Sequence, residues 1–309
     1  MSLPAKGQNL ATRPAITPYD PKRLPFDTTL ARQIARQHLS NLNNVFWVAE
    51  RSLGLLHSSY TQIRMPAPGP GVHGYFDNEA SWQGAVDEFH VWTRQYALLS
   101  AASLLEIYVR SAAIAALWAS PELIDKSLEG TDSVALIKFP ERIPSYLKKV
   151  IETRSENFTK GTWRDRLRSI ALELGKVPDE VQSLTRDLQN IQNLRNRVAH
   201  SYGMSGELRR TPWQPITAVK IEPSRVVDAT KTISSFIRIA DKKIFGIHIG
   251  GYELMHEFHV WCRSKQNLQQ LRVSGTLDSE FRDHIGAAFG RTPGSSYVKS
   301  MIAYYDRIT

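Results

Sequence analysis

A chain of 309 residues with 42% hydrophobic content and a mean hydropathy of -0.32 is long enough for one large domain or two small ones, each with a real core. Its net charge of +9 and isoelectric point near 9.6 favour a polyanionic partner, nucleic acid before membrane. The single cysteine, Cys262, excludes an intrachain disulfide and a four-thiolate zinc site, and it fits a reducing compartment.

Lys6, Gln8 and Asn9 stand where the apolar run of a signal peptide would begin, so the expected location is the cytoplasm. Residues 1–27 hold five prolines and no helical period, which predicts an extended or disordered arm. From Thr28 to about Tyr60 the pattern turns helical, with Leu30, Ile34, Leu42, Val45, Ala49, Leu53 and Leu56 as its inward stripe. Met65 to Gly74 interrupts it, as a tether or as a surface loop.

Asp77 to Ala119 predicts the longest helix. Steps of three and four from Trp82 pass through Ala85, Phe89, Trp92, Tyr96, Leu99, Ser103, Glu106, Arg110, Ala113 and Leu117. The first half of that face reads as aromatic core. In the second half Ser103, Glu106 and Arg110 fill slots expected to be apolar. Because Glu106 and Arg110 interrupt the run from Tyr96 to Ala119, it reads as a buried helix and not as a membrane span. Pro121 stops the helix.

Lys138 to Lys176 is basic. Lys138, Arg142, Lys148, Lys149, Arg154, Lys160, Arg164, Arg166, Arg168 and Lys176 face only Glu141, Glu152, Glu156, Asp165 and Glu173. Such a density of cations can neutralise phosphates without reading sequence, although a solvated helical face has the same composition. Thr162 opens a helix there that runs to about Leu174 and ends at Gly175.

Pro178 to Gly203 predicts one helix with an anomaly near its end. Val181, Leu184, Leu188 and Ile191 form a buried stripe whose next inward slots are Arg195 and Val198. A guanidinium in an inward slot needs a carboxylate or an anionic ligand, because an unpaired buried charge costs several kcal/mol. Two anomalous stripes in one helical protein point to a meeting of Glu106 with Arg195. The alternative is a structural pair between Glu106 and Arg110 at i, i+4. Asn196 and His200 share a neighbouring face, and His200 lies in the last turn, where the helix dipole favours an imidazolium.

Ser201 to Pro223 reads as a long loop carrying Arg209, Arg210 and Trp213, with a short extended piece at Thr217 to Glu222. Ser224 to Phe245 is helical, with Val226, Ile233, Ile237, Ala240 and Ile244 on one face, and is expected to pack antiparallel to the preceding helix. Residues 247–309 predict an appendage of two or three short helices. One carries Leu277, Phe281, Ile285 and Ala288; another carries Val298, Met301, Ile302 and Tyr305. Glu88-Phe89-His90-Val91-Trp92 recurs as Glu257-Phe258-His259-Val260-Trp261, from a worn duplication or from similar packing demands. His248, His256 and His259 match no zinc pattern, and there is no phosphate-binding loop or GxSxG elbow, so no metal or cofactor is expected.

Arg195-Asn196-Arg197-Val198-Ala199-His200 resembles the R-N-x-x-x-H signature of the HEPN superfamily, in particular its RiboL-PSP-HEPN-like ribonucleases and toxins. The resemblance covers residues 80–245. It implies an all-α fold: a HEPN-like antiparallel helical bundle over 28–246, with extra N-terminal and C-terminal helices. It implies a metal-independent endoribonuclease of toxin–antitoxin or phage-defence systems, with RNA as substrate and a homodimer whose two motif helices meet. An antitoxin or defence-system protein is a further implied partner, and no membrane is.

The chemistry of the residues agrees with that class. A histidine near neutral pH can move the proton of a 2′-hydroxyl or of the leaving oxygen, and an arginine fork suits phosphate oxygens. The expected catalytic set is Arg195, Asn196, His200 and Glu106, with Lys148, Lys149, Arg164, Arg168, Arg197 and Tyr202 binding substrate. The alternative is a non-catalytic HEPN-like module that holds nucleic acid, a nucleotide or a protein partner in the same cleft.

Overall fold

The computed structural model of the protein describes residues 18–58, 78–200 and 219–308, and among these every regular element is a helix. The fold is all-α. The break at Met65–Gly74, the loop residues Arg209, Arg210 and Trp213, and most of the N-terminal arm lie outside the described residues.

Helix α1 (Leu30–Ser58) lies along α2 (Glu79–Ala119), the longest element. A capping box starts α2: the Asn78 side chain accepts from Ser81 N at 3.0 Å, and Ser81 Oγ accepts from Asn78 N at 3.3 Å. Against α2 pack α4 (Ser145–Asn157), α7 (Thr185–His200) and α8 (Pro223–Ala240). Two shorter elements, α5 (Trp163–Leu174) and α6 (Asp179–Gln182), pack against α7 and α8 respectively. Small residues let the helices approach along α2, where Ala101, Ala112, Ala113 and Ala116 are fully or almost fully buried. By length and composition alone α2 could cross a bilayer, and half of its most apolar window is buried in the bundle.

The buried stripes of the first two helices differ from the sequence reading. On α1 the seam runs through Ala31, Ala35, Leu39, Phe46 and Leu53, while Ile34 and Val45 are exposed. On α2 the buried face is Leu98, Ala101, Leu105, Tyr108, Val109, Ala112 and Ala116, and Phe89, Trp92 and Tyr96 are exposed. The physical reason is packing distance. Ala101, Ala112 and Ala116 on that face permit close contact, so the neighbouring helices pack around Leu98, Leu105 and Tyr108 and leave the Phe89–Trp92–Tyr96 row exposed.

The predicted 178–203 helix is also broken. After α6, Leu184 N donates to Val181 O at 3.1 Å, a tighter three-residue step, and Thr185 Oγ1 donates back to Gln182 O. The stripe survives the break, with Val181, Leu188, Ile191 and Val198 all buried. Ile221 and Glu222 are coil where a short extended piece was expected. Side chains of α2 hold this segment instead: Gln95 Nε2 donates to Val219 O at 3.0 Å and Arg94 Nη1 to Ile221 O at 3.5 Å. The face of α8 is buried as read, and a π-helical turn, Asp241–Phe245, continues it into α9 (Gly246–Ile249).

A second core forms over the C-terminal helices α10 (Tyr252–Ser264), α11 (Leu268–Ser274), α12 (Leu277–Phe289) and α13 (Ser295–Arg307). It takes in Val134 and Ile137 of α3 (Ser133–Lys138) and also Tyr19 and Phe26. The reading of 1–27 as one arm therefore stops short of its last residues. Gly251 N donates to Pro21 O at 2.8 Å, and a Cβ at Gly250, whose φ is +51°, would lie 2.1 Å from that same oxygen. Two carboxylates hold the start of α1 against the C-terminal region. Asp241 accepts from Thr29, and Glu253 accepts from the backbone N–H groups of Leu30 and Ala31, the orphan donors of a helix start.

Burial pushes the Glu253 carboxyl from 4.5 up to about 7. The folded state therefore binds this proton more tightly than the unfolded chain. The resulting stability is complete below pH 4.5 and is lost as pH rises to about 7. In urea titrations, the stability of wild type relative to Glu253→Gln should fall across that window. A difference that stays flat or grows contradicts this account of the α1 anchor.

Candidate functional site

Three helices converge on the motif. Glu106 sits at the margin of the buried face of α2, beside Leu105 and Val109. Helix α5 begins with a capping box: Asp165 N donates to Thr162 Oγ1 at 3.3 Å, and Asp165 Oδ2 accepts from Thr162 N at 3.2 Å. That start turns Trp163, Arg166, Leu167 and Ile170 inward. The preceding Gly161 has φ +78°, a conformation glycine adopts without strain. Its carbonyl accepts from Arg166 Nε at 3.3 Å and from Gln192 Nε2 at 3.0 Å, and Trp163 N donates to Gln189 Oε1 at 2.9 Å. The start of α5 is thereby fixed to the middle of α7.

At this junction one carboxylate serves two guanidiniums. Glu106 Oε1 accepts from Arg166 Nη2 at 3.1 Å, and Glu106 Oε2 lies 3.6 Å from Arg195 Nη2. The Arg166 side chain is 5% exposed, with its guanidinium 5.0 Å from the Trp163 ring centroid. Burial lowers its pKa, with the charge of Arg195 acting in the same direction, and the hydrogen bond and charge of Glu106 oppose them. Arg195 is 29% exposed. Its Nη1 donates to Asn196 Oδ1 at 3.1 Å, and its Nε is buried without a hydrogen-bond partner, as is Gln192 Oε1. Two cations against one anion leave a formal surplus of one positive charge, with an unused donor beside it. Chemically this arrangement can receive an oxyanion.

The structure thus brings Glu106, Arg195 and Asn196 together. Arg110 is not the partner of Glu106: it lies 4.0 Å from Glu156 on α4. His200 closes α7, its side chain lies outside the described residues, and so does Tyr202. The expected substrate-binding cations are spread out. Lys148 and Lys149 are exposed on α4, and Arg164 and Arg168 are exposed on α5. Arg164 lines a shallow groove with Arg186 and Asn190, and Arg197 lines another between α7 and α8 with Arg225 and Lys231. A third cleft, between α2 and α7, is walled by Trp92, Tyr96, Leu99, Val198 and Ala199, so the exposed aromatic row flanks the tail of the motif helix.

Arg166 is the residue the sequence reading missed as an individual. It stood in a basic run, yet Trp163, Arg166, Ile170 and Leu174 carry the inward spacing that would have marked it. His248, His256 and His259 are not gathered: His248 Nε2 bonds to Leu174 O at 3.1 Å, His259 Nδ1 to Tyr305 Oη at 2.7 Å, and the His256 ring lies tilted against Tyr252. The repeated pentapeptide has opposite fates, with Phe89 59% exposed and Phe258 fully buried, which removes similar packing as its cause. No protein-family model, curated protein or solved structure matches this chain.

Removing the shared anion should be felt in stability. Glu106→Gln leaves Arg166 buried without its charge partner and is expected to lose about 1–3 kcal/mol in denaturant titrations. Arg195→Ala, at a part-exposed position, should lose under about 1 kcal/mol. The double variant Glu106→Leu/Arg166→Met should recover much of the first loss. Equal losses for Glu106→Gln and Arg195→Ala would mean that Arg166 does not depend on Glu106.

Proposed function

We propose that this chain is a HEPN-like helical protein that acts as a metal-independent endoribonuclease, with Arg195, Asn196 and His200 as its reacting groups. The observation that carries the reading is the surplus cation at the α2–α5–α7 junction, where Arg195 keeps a donor unused beside a carboxylate shared with Arg166. Cleavage proceeds by attack of the 2′-hydroxyl oxygen on the adjacent phosphorus as the bond to the 5′-oxygen breaks. His200 moves the proton, Arg195 stabilises the charge on the crowded phosphate, and Asn196 orients the guanidinium. Glu106 acts through Arg195 and is a positioning residue. The products carry a 2′,3′-cyclic phosphate and a 5′-hydroxyl.

The resemblance of the motif adds a second copy of the chain, with two α7 tails facing one cleft, and a role in toxin–antitoxin or phage-defence systems. The exposed row Phe89, Trp92 and Tyr96, of which Trp92 and Tyr96 share a cleft with Val198 and Ala199, supports self-association through that face, because contiguous exposed aromatics mark interaction sites. The pI near 9.6 supports RNA as substrate.

Purified protein incubated with mixed RNA in EDTA should cut it, and His200→Ala and Arg195→Ala should each lower the rate about 100-fold or more. If wild type binds RNA on a gel and leaves it intact, the chain is a binding module and the enzymatic reading fails. Trp92→Glu should convert a dimer to a monomer in sedimentation and lower cleavage in parallel. Monomeric wild type with full activity would rule out the two-copy site.

A further inference from the structure

The start of α1, the end of α2, α3 and α10 enclose an open cavity of about 640 Å³, away from the motif. This volume lies within the range of small-molecule sites, about 300–1,000 Å³. Its walls are apolar, with Ile34, Ile114, Trp118, Ile137, Ile143 and Phe289 among them. The polar groups come chiefly from one face of α10, where Tyr252, His256, His259 and Arg263 recur at steps of four, three and four.

Most of these polar groups are already engaged. Glu253 accepts from the N–H groups of Leu30 and Ala31, Glu257 bonds to His284 Nε2 at 3.2 Å, and His259 bonds to Tyr305. Arg263 is exposed and has no carboxylate within ion-pair distance among the described residues, while the His256 ring lies tilted against Tyr252. The cavity therefore joins an apolar body to one guanidinium that makes no ion pair among the described residues. We infer that this cavity binds an amphipathic monocarboxylate, with the apolar chain along Ile114, Trp118 and Ile137 and the carboxylate on Arg263. The carboxylates of Glu253 and Glu257 are committed to the start of α1 and to His284, so the guanidinium of Arg263 is the charged group left to meet a ligand, and its fork suits a carboxylate. The site is built by the second copy of the repeated pentapeptide, whose Glu257, His259 and Val260 line it while Phe258 and Trp261 anchor α10 in the second core.

Calorimetric titration of the full chain with sodium decanoate, with decanol and decylamine as controls, tests this directly. One saturable site is expected, at least tenfold tighter for decanoate than for either control. Arg263→Glu should weaken decanoate at least tenfold, and Ser111→Trp, which fills the cavity from an exposed position, should abolish binding. Melting curves of both variants should match wild type without ligand. Failure of decanoate to saturate a site, or binding indifferent to both substitutions, overturns the inference. Equal affinity for decanol and decanoate overturns the role of Arg263.

Discussion

The arrangement that the motif region depends on is the carboxylate of Glu106 divided between Arg166 and Arg195. Each guanidinium alone would be a familiar ion pair. Together they leave the junction one charge short of neutral, and the deeper of the two, Arg166, is the one that cannot reach water. Glu106 must therefore stay in place, because a buried cation without a partner is among the more expensive features a core can hold. Arg195 has the weaker claim on it, at 3.6 Å against 3.1 Å, and it is the guanidinium that faces outward. A structural cation keeps the better partner and a second cation is left able to accept a ligand.

The rest of the bundle positions those three side chains. Helix α2 supplies Glu106 and runs past α1, α4, α7 and α8. The Gly161 carbonyl and the Trp163 N–H fasten α5 to α7, so that Arg166 and Arg195 cannot drift apart. The C-terminal helices are not idle weight on this frame. Through Asp241 and Glu253 the region around them caps α1, and through Tyr19 and Phe26 it secures the chain that leads into α1. Where the two cores adjoin, the packing leaves a cavity lined by Arg263, which makes no ion pair among the described residues.

Much of this was legible from periodicity and little from bulk. The capped start of α5 at Thr162, its stop at Gly175, and the buried row of α8 follow from local signals that the tertiary structure had no reason to override. The break at Ser183 did not show, because a three-residue step keeps the same stripe inward. Phe89, Trp92 and Tyr96 misled because large aromatics usually mark a core, whereas α2 buries a different face, on which alanines alternate with Leu98, Leu105 and Tyr108. Charge in an apolar slot proved the better guide. Glu106 and Arg195 stood out by that rule, and Arg166 would have done so had its spacing from Trp163 been weighed above its membership of a basic run.

The most direct test of the surplus-charge account is the salt dependence of binding a short, uncleavable RNA with 2′-O-methyl sugars, followed by fluorescence anisotropy. Wild type should bind, and Arg195→Ala should bind at least tenfold more weakly, with a log–log salt slope smaller by about 0.7, the release expected for one phosphate contact on a single strand. Identical affinity and slope in the two proteins would show that Arg195 is merely a second partner for Glu106, and that the junction holds no site for an anion.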